Sequence, residues 1–213
     1  MLAFDFLFLA ILLAFYLTVN KDKKNLLAVF IGSMFAILLS SFKALFLFSR
    51  RIVTYSFSSC FFYVFIRQSF LPCIILFAIF FLLFKDDSQA KAKYFLPLEL
   101  SFYMIYLPYC IVSTSGALYS KYTLFIKPII FAAMILQCSI SINAFFRLLN
   151  KRSYVPMVIH SLIFVFYLLL PALTESLFYL EDKILLPSLF ALISVLIPSV
   201  FVIFENFVKK KID

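Results

Sequence analysis

Seven ionisable side chains of this sequence stand inside long apolar runs: Asp5, Lys43, Arg67, Glu99, Lys127, His160 and Glu175. A charge held in hydrocarbon costs roughly 2.5–3.5 kcal/mol on the insertion scale, so each is a candidate functional group by default. Asp5, Lys43 and Lys127 lie close to the ends of their runs. Reaching out to the headgroup region is the simpler account of those three. Arg67 falls near the middle of its run and needs a carboxylate, carbonyls or water around it. Ser56, Tyr63 and Arg67 follow the spacing i, i+7, i+11, which places them on one helical face. A turn between two short spans accounts for Arg67 equally well.

Glu99 belongs to the clearest polar stripe. Glu99, Tyr103, Tyr106, Cys110 and Ser113 fall at i, i+4, i+7, i+11 and i+14, so one side of that helix faces something other than lipid. Phenol hydroxyls there either line a polar path or bond neighbouring helices, and interhelical bonding is the simpler expectation. A partner chain or a like subunit is expected to cover the stripe. His160, the only histidine, shares a face with Tyr167, Pro171 and Thr174, with Glu175 at its margin. Counting from the span ends, Glu99 and His160 lie at similar depths, as do Glu175 and Lys127. Two pairings are therefore expected, Glu99 with His160 and Glu175 with Lys127. A histidine beside a carboxylate suits proton transfer, although bridging two helices by hydrogen bonds is the plainer role. The candidate intramembrane polar site is thus Arg67, Glu99, Tyr103, Tyr106, His160 and Glu175.

Missing motifs narrow the chemistry. One histidine and no H-E-x-x-H argue against a zinc hydrolase. With only Gly32 and Gly116, the chain has no phosphate-cradling loop, no G-x-x-x-G contact and no G-x-S-G nucleophile motif. Cys60, Cys73, Cys110 and Cys138 sit in separate apolar runs without a C-x-x-C pair, and read as small core hydrophobes. No metal or cofactor is expected. The lysoplasmalogenase-type membrane enzymes have a similar size and span number, but their acidic motifs inside spans are not found; only Thr174-Glu175-Ser176 occupies a comparable place.

The elements that must position these groups follow from composition. Of 213 residues, 65% are hydrophobic and 14% charged, and the mean hydropathy is +1.10. A soluble domain has about 45–50% apolar and about 25% charged residues, so lipid is the solvent that fits. The net charge of +9 comes from short Lys/Arg clusters between apolar runs and argues against nucleic acid.

Apolar stretches at 2–19, 26–48, 52–84, 94–112, 123–146, 155–180 and 184–204 approach or exceed the length of a membrane-spanning helix. Backbone groups in lipid must bond within their own segment, so an all-α bundle of about seven spans is expected, as one membrane domain over 1–213. If the Asn20–Asn25 connector is cytoplasmic, twelve basic residues lie inside and four outside. That bias gives an outside N-terminus and an inside C-terminus. Splitting 52–84 at Arg67 would make eight spans, with a weaker bias of eleven against six.

The first run lacks a basic leader and a small-residue cleavage site, so it reads as a span rather than a signal peptide. Tyr94, Tyr122, Tyr154 and Tyr179 near span ends are expected to form an interfacial belt. Three functions are compatible with this reading: a non-enzymatic membrane component such as a transporter or channel subunit, a stand-alone transporter, or an intramembrane lipid-modifying enzyme using Glu99, His160 or Glu175. The first fits the lack of catalytic motifs best. The bilayer of the cell membrane is the expected surround.

Overall fold

The computed structural model describes residues 2–47, 56–83, 88–113, 125–150, 152, 154–181, 185–194 and 196. These form helices and short connectors, with no strand among the described residues. In order they are α1 (Leu2–Val19), α2 (Lys23–Leu47), α3 (Phe57–Val64), a π-helical turn (Phe65–Phe70), α4 (Leu71–Leu83), α5 (Ser88–Ser113), α6 (Lys127–Asn150), α7 (Tyr154–Glu181) and α8 (Leu185–Ser194). Four stretches are long and apolar enough to cross a membrane: Lys23–Leu45, Phe57–Leu83, Lys127–Leu149 and Tyr154–Phe178. Phe6–Val19 and Leu185–Ser194 are shorter apolar helices.

The run at 52–84 resolves into one continuous helix over Phe57–Leu83, and the reversal at Arg67 that would make two spans is not formed. Ser56 starts it with a reciprocal capping box: its side chain accepts from the Ser59 amide, and the Ser59 hydroxyl accepts from the Ser56 amide. The chain then widens into a π turn and resumes as α4 at Leu71.

Helix α5 is the centre of the bundle. It packs against α1, α2 and α6, and it contributes Phe95, Leu98, Leu100, Phe102, Tyr103 and Tyr106, all fully buried. Helix α7 packs on α6 and runs along α3 and the π turn. Gly32 sets how closely α2 meets α5. A methyl group there would fall within van der Waals contact of the Ser101 hydroxyl and the Leu98 carbonyl oxygen, with the Leu98 carbonyl carbon at 3.2 Å. No G-x-x-x-G repeat is needed for this approach; one glycine suffices.

The α1–α2 connector is fixed at one end of α5. Asp22 caps α2 by accepting from the Lys24 amide at 3.0 Å, and its other oxygen accepts from the Tyr94 hydroxyl at 2.7 Å. Tyr94 is therefore buried and does not serve an interfacial belt, because its hydroxyl is spent on that cap. Tyr154 is exposed as a belt residue would be. Tyr122 and the Tyr179 side chain lie outside the described residues.

Large apolar side chains cover the outside of the bundle, among them Ile11, Phe15, Phe30, Leu38, Leu162 and Val165. A surface of that kind in water would be an aggregation site, whereas in a bilayer it is the lipid-facing wall. The helices are those of a membrane-embedded protein.

Candidate functional site

The site begins with a backbone fault. In the π turn the Leu71 amide bonds the Ile66 carbonyl, one residue further back than an α-helix requires. The following residue is Pro72, which has no amide hydrogen. Pro72 therefore serves neither the Arg67 carbonyl in the π register nor the Gln68 carbonyl in the α register. Both carbonyls find donors on other helices, as buried backbone must. The Tyr106 hydroxyl donates to the Arg67 carbonyl at 2.6 Å, and Lys43 Nζ donates to the same oxygen at 2.9 Å. The Tyr103 hydroxyl donates to the Gln68 carbonyl at 3.1 Å. Two tyrosines of the α5 stripe thus bind α5 to the α3–α4 helix. The chain itself buries Glu99, Tyr103 and Tyr106, so no other chain is needed to cover that stripe.

Lys43 does not reach for the headgroups. It is 7% exposed, also donates to the Tyr106 hydroxyl, and stands 4.6 Å from the centre of that ring. Arg67 is half-buried; its guanidinium donates to the Tyr63 hydroxyl and lies 4.8 Å from the Tyr63 ring centre. Cation–ring contact of this kind is worth about 2 kcal/mol when desolvated.

Lys127 is likewise buried rather than at the interface. It forms an ion pair with Glu175 at 2.8 Å, with side chains 1% and 2% exposed. The pairing expected from matched depth is present. Cys110 links the two charge groups: it lies within electrostatic reach of Lys43 on one side and of Lys127 and Glu175 on the other. Tyr63 is within similar reach of Arg67, Cys110 and Glu175. Lys43, Arg67 and Tyr106 therefore form one bonded group and Lys127 with Glu175 a second, and Cys110 is within electrostatic reach of both, which makes this one polar region of the bundle. It lies toward the end of the bundle opposite the Tyr94–Asp22 bond, since Lys43, Cys110 and Glu175 fall near helix C-termini and Lys127 begins α6.

Glu99 and His160 do not join it. Glu99 is fully buried deeper along α5, and neither carboxyl oxygen has a hydrogen-bonding partner among the described residues. Cys73 and Cys138 are within electrostatic reach of it, and no cation meets it in an ion pair among the described residues. The expected Glu99–His160 pairing is not formed. His160 is half-buried and instead lines a cavity of about 580 Å³ between α4, α6 and α7, with Cys73, Phe77, Phe81, Phe145 and Phe164.

All four cysteines are buried and none is in a disulfide. No group of three His, Cys, Asp or Glu side chains among the described residues has metal-binding geometry. The chain matches no protein-family model, no curated protein and no solved structure.

Sequence reasoning leaves Lys43 and Lys127 out of the candidate site, although it pairs Lys127 with Glu175, and it does not give Pro72 the part of an absent donor. The available signal was combined: a proline shortly after Arg67-Gln68, a tyrosine pair on a polar face elsewhere, and lysines with no nearby loop acid to balance them.

Proposed function

We propose that this protein is a non-enzymatic, multi-pass component of the cell membrane, a transporter or channel subunit whose working part is the polar chamber. One observation carries the reading: Lys43, Arg67, Tyr106, Cys110, Lys127 and Glu175, from five separate helical segments, converge inside an otherwise apolar bundle. Intramembrane charges almost always face a bundle interior or water-filled cavity and mark solute or ion pathways. Seven spans with the N-terminus outside, as the basic connectors require, put the chamber in the outer half of the membrane.

An enzymatic role finds less support in the same geometry. The Glu175 carboxylate is committed to Lys127, and Glu99 has no hydrogen-bonding partner among the described residues with which to exchange a proton. A general acid or base must lie within hydrogen-bond reach of its partner.

Thiol access tests the chamber. In a cysteine-free background, Tyr109→Cys, at a half-buried position beside the polar region, should be modified by a membrane-impermeant charged thiol reagent applied from outside, and Cys138 restored alone should not. Equal resistance of both thiols would remove the water-filled chamber, and this function with it.

A further inference from the structure

We infer that the Lys43–Arg67 side of the chamber binds a phosphate group carrying close to two negative charges. The inference rests on the chamber being a ligand site and names its ligand class. Lys43, Arg67 and Lys127 stand in this region, and the one carboxylate among the described residues there, Glu175, is paired with Lys127 at 2.8 Å. Lys43 and Arg67 meet no acidic side chain among the described residues. Their partners are a backbone carbonyl and tyrosine hydroxyls, which orient the cations without neutralising them. An excess of two positive charges in an apolar bundle is expensive by itself. It matches a phosphate monoester, which carries about −1.5 to −2 near neutral pH.

Donor chemistry points the same way. Lys43 directs two ammonium hydrogens to the Arg67 carbonyl and the Tyr106 hydroxyl, keeping one unspent. Arg67 directs one N–H to Tyr63 and retains most of its planar fork, which fits two phosphate oxygens at once. Lys43 holds the main-chain carbonyl of the residue whose guanidinium meets Tyr63 one turn earlier. Arg67 and Tyr63 are only half-buried, so the donors are not sealed in the bundle. Tyr109, also half-buried and within electrostatic reach of Arg67 and Tyr63, adds a hydroxyl at the margin.

The group has two sources, a free phosphate ion or the headgroup of a lipid phosphate monoester. Thermal unfolding of the purified full chain in neutral detergent separates them. One arm adds inorganic phosphate at an ionic strength matched with chloride; the other dopes the micelles with phosphatidic acid, against phosphatidylcholine as control. The unfolding midpoint should rise with phosphate if the ion is the ligand, and with phosphatidic acid alone if the headgroup is. Arg67→Gln and Lys43→Gln should each weaken the apparent affinity roughly tenfold or more, the worth of a charge-assisted hydrogen bond. Arg67→Lys, which keeps the charge but loses the fork, should weaken it less than Arg67→Gln. Lys21→Gln, at an exposed connector residue, should change nothing.

A wild-type midpoint unmoved by either probe overturns the inference, and that result stands whether or not a variant folds. So does a shift of full size in all three site variants. Neither failure alters the outside labelling of the Tyr109→Cys variant, so the ligand class and the chamber stand or fall separately.

Discussion

Removing one phenol oxygen tests the backbone fault directly. Tyr103→Phe keeps the ring, and with it the packing against Phe102 and Phe131 at centroid distances of 5.2 and 5.3 Å. It deletes only the donor to the Gln68 carbonyl. Interhelical hydrogen bonds in membranes average about 0.6 kcal/mol and reach about 1.7. The Tyr103 bond belongs at the upper end, about 1–1.7 kcal/mol, because Gln68 is buried and Pro72 offers it no amide. Pro72→Ala supplies the missing N–H, so in that background the carbonyl has a donor within its own helix and the tyrosine hydroxyl matters less. The expected coupling between the two changes is about 1 kcal/mol. Reversible unfolding in mixed micelles, followed by circular dichroism across the four members of the cycle, measures it. If Tyr103→Phe costs the same in both backgrounds to within about 0.5 kcal/mol, the sites are independent. The argument from Pro72 to the tyrosine stripe then fails.

Three further outcomes are expected. Glu175→Gln leaves the buried Lys127 without its counter-charge and should cost about 3–5 kcal/mol, while the double change Lys127→Met with Glu175→Leu recovers most of that; equal stabilities by the same unfolding assay would show that the pair does not exist in the membrane. Gly32→Ala should cost about 1–3 kcal/mol by forcing α2 from α5, and adding Ser101→Ala should not restore it, because the Leu98 carbonyl is backbone. Glu99→Met should raise stability by about 1–3 kcal/mol, since it removes a buried carboxyl with no partner; a drop in the unfolding midpoint would reveal a partner for Glu99 and sink the reading.

Much of the helical framework was legible because hydropathy reports directly on what must lie in lipid. The Lys127–Glu175 pair was legible too, since counting residues from span ends gives depth, and depth is a necessary condition for contact. It is not a sufficient one. Glu99 and His160 match in depth yet face different spaces, because periodicity tells which residues share a face and not which neighbour that face meets. Lys43 and Lys127 were misread for a related reason. A lysine near a span end can send its flexible stem outward or inward, and the choice depends on acceptors from other helices. Here those acceptors are the Arg67 carbonyl, the Tyr106 hydroxyl and the Glu175 carboxylate. Tyr94 follows the same logic: its position suggests the interface, but the Asp22 carboxylate draws it inside. The π turn leaves no mark in the hydrophobic pattern at all.

The backbone fault and the charge excess form one feature. A regular helix through residues 65–72 would satisfy its own carbonyls and offer Lys43 nothing to bind at that depth. The π turn followed by Pro72 turns Arg67 into an acceptor through its main chain while its side chain stays a donor. One residue thereby anchors a second cation beside its own, which like charges would otherwise resist. The fault also divides the helix by neighbour. α3 and the π turn lie along α7, whereas α4 stands apart from α7 across the cavity that holds His160. The charged half consequently packs on α7, while the apolar half opens onto that cavity. It follows that Pro72→Ala should do more than change stability: in the regular helix it permits, the residue-72 amide serves the Gln68 carbonyl and the Leu71 amide moves from Ile66 to the Arg67 carbonyl, so Lys43 competes for an acceptor already bonded, and the binding of a phosphate group should weaken although no charged residue has been changed.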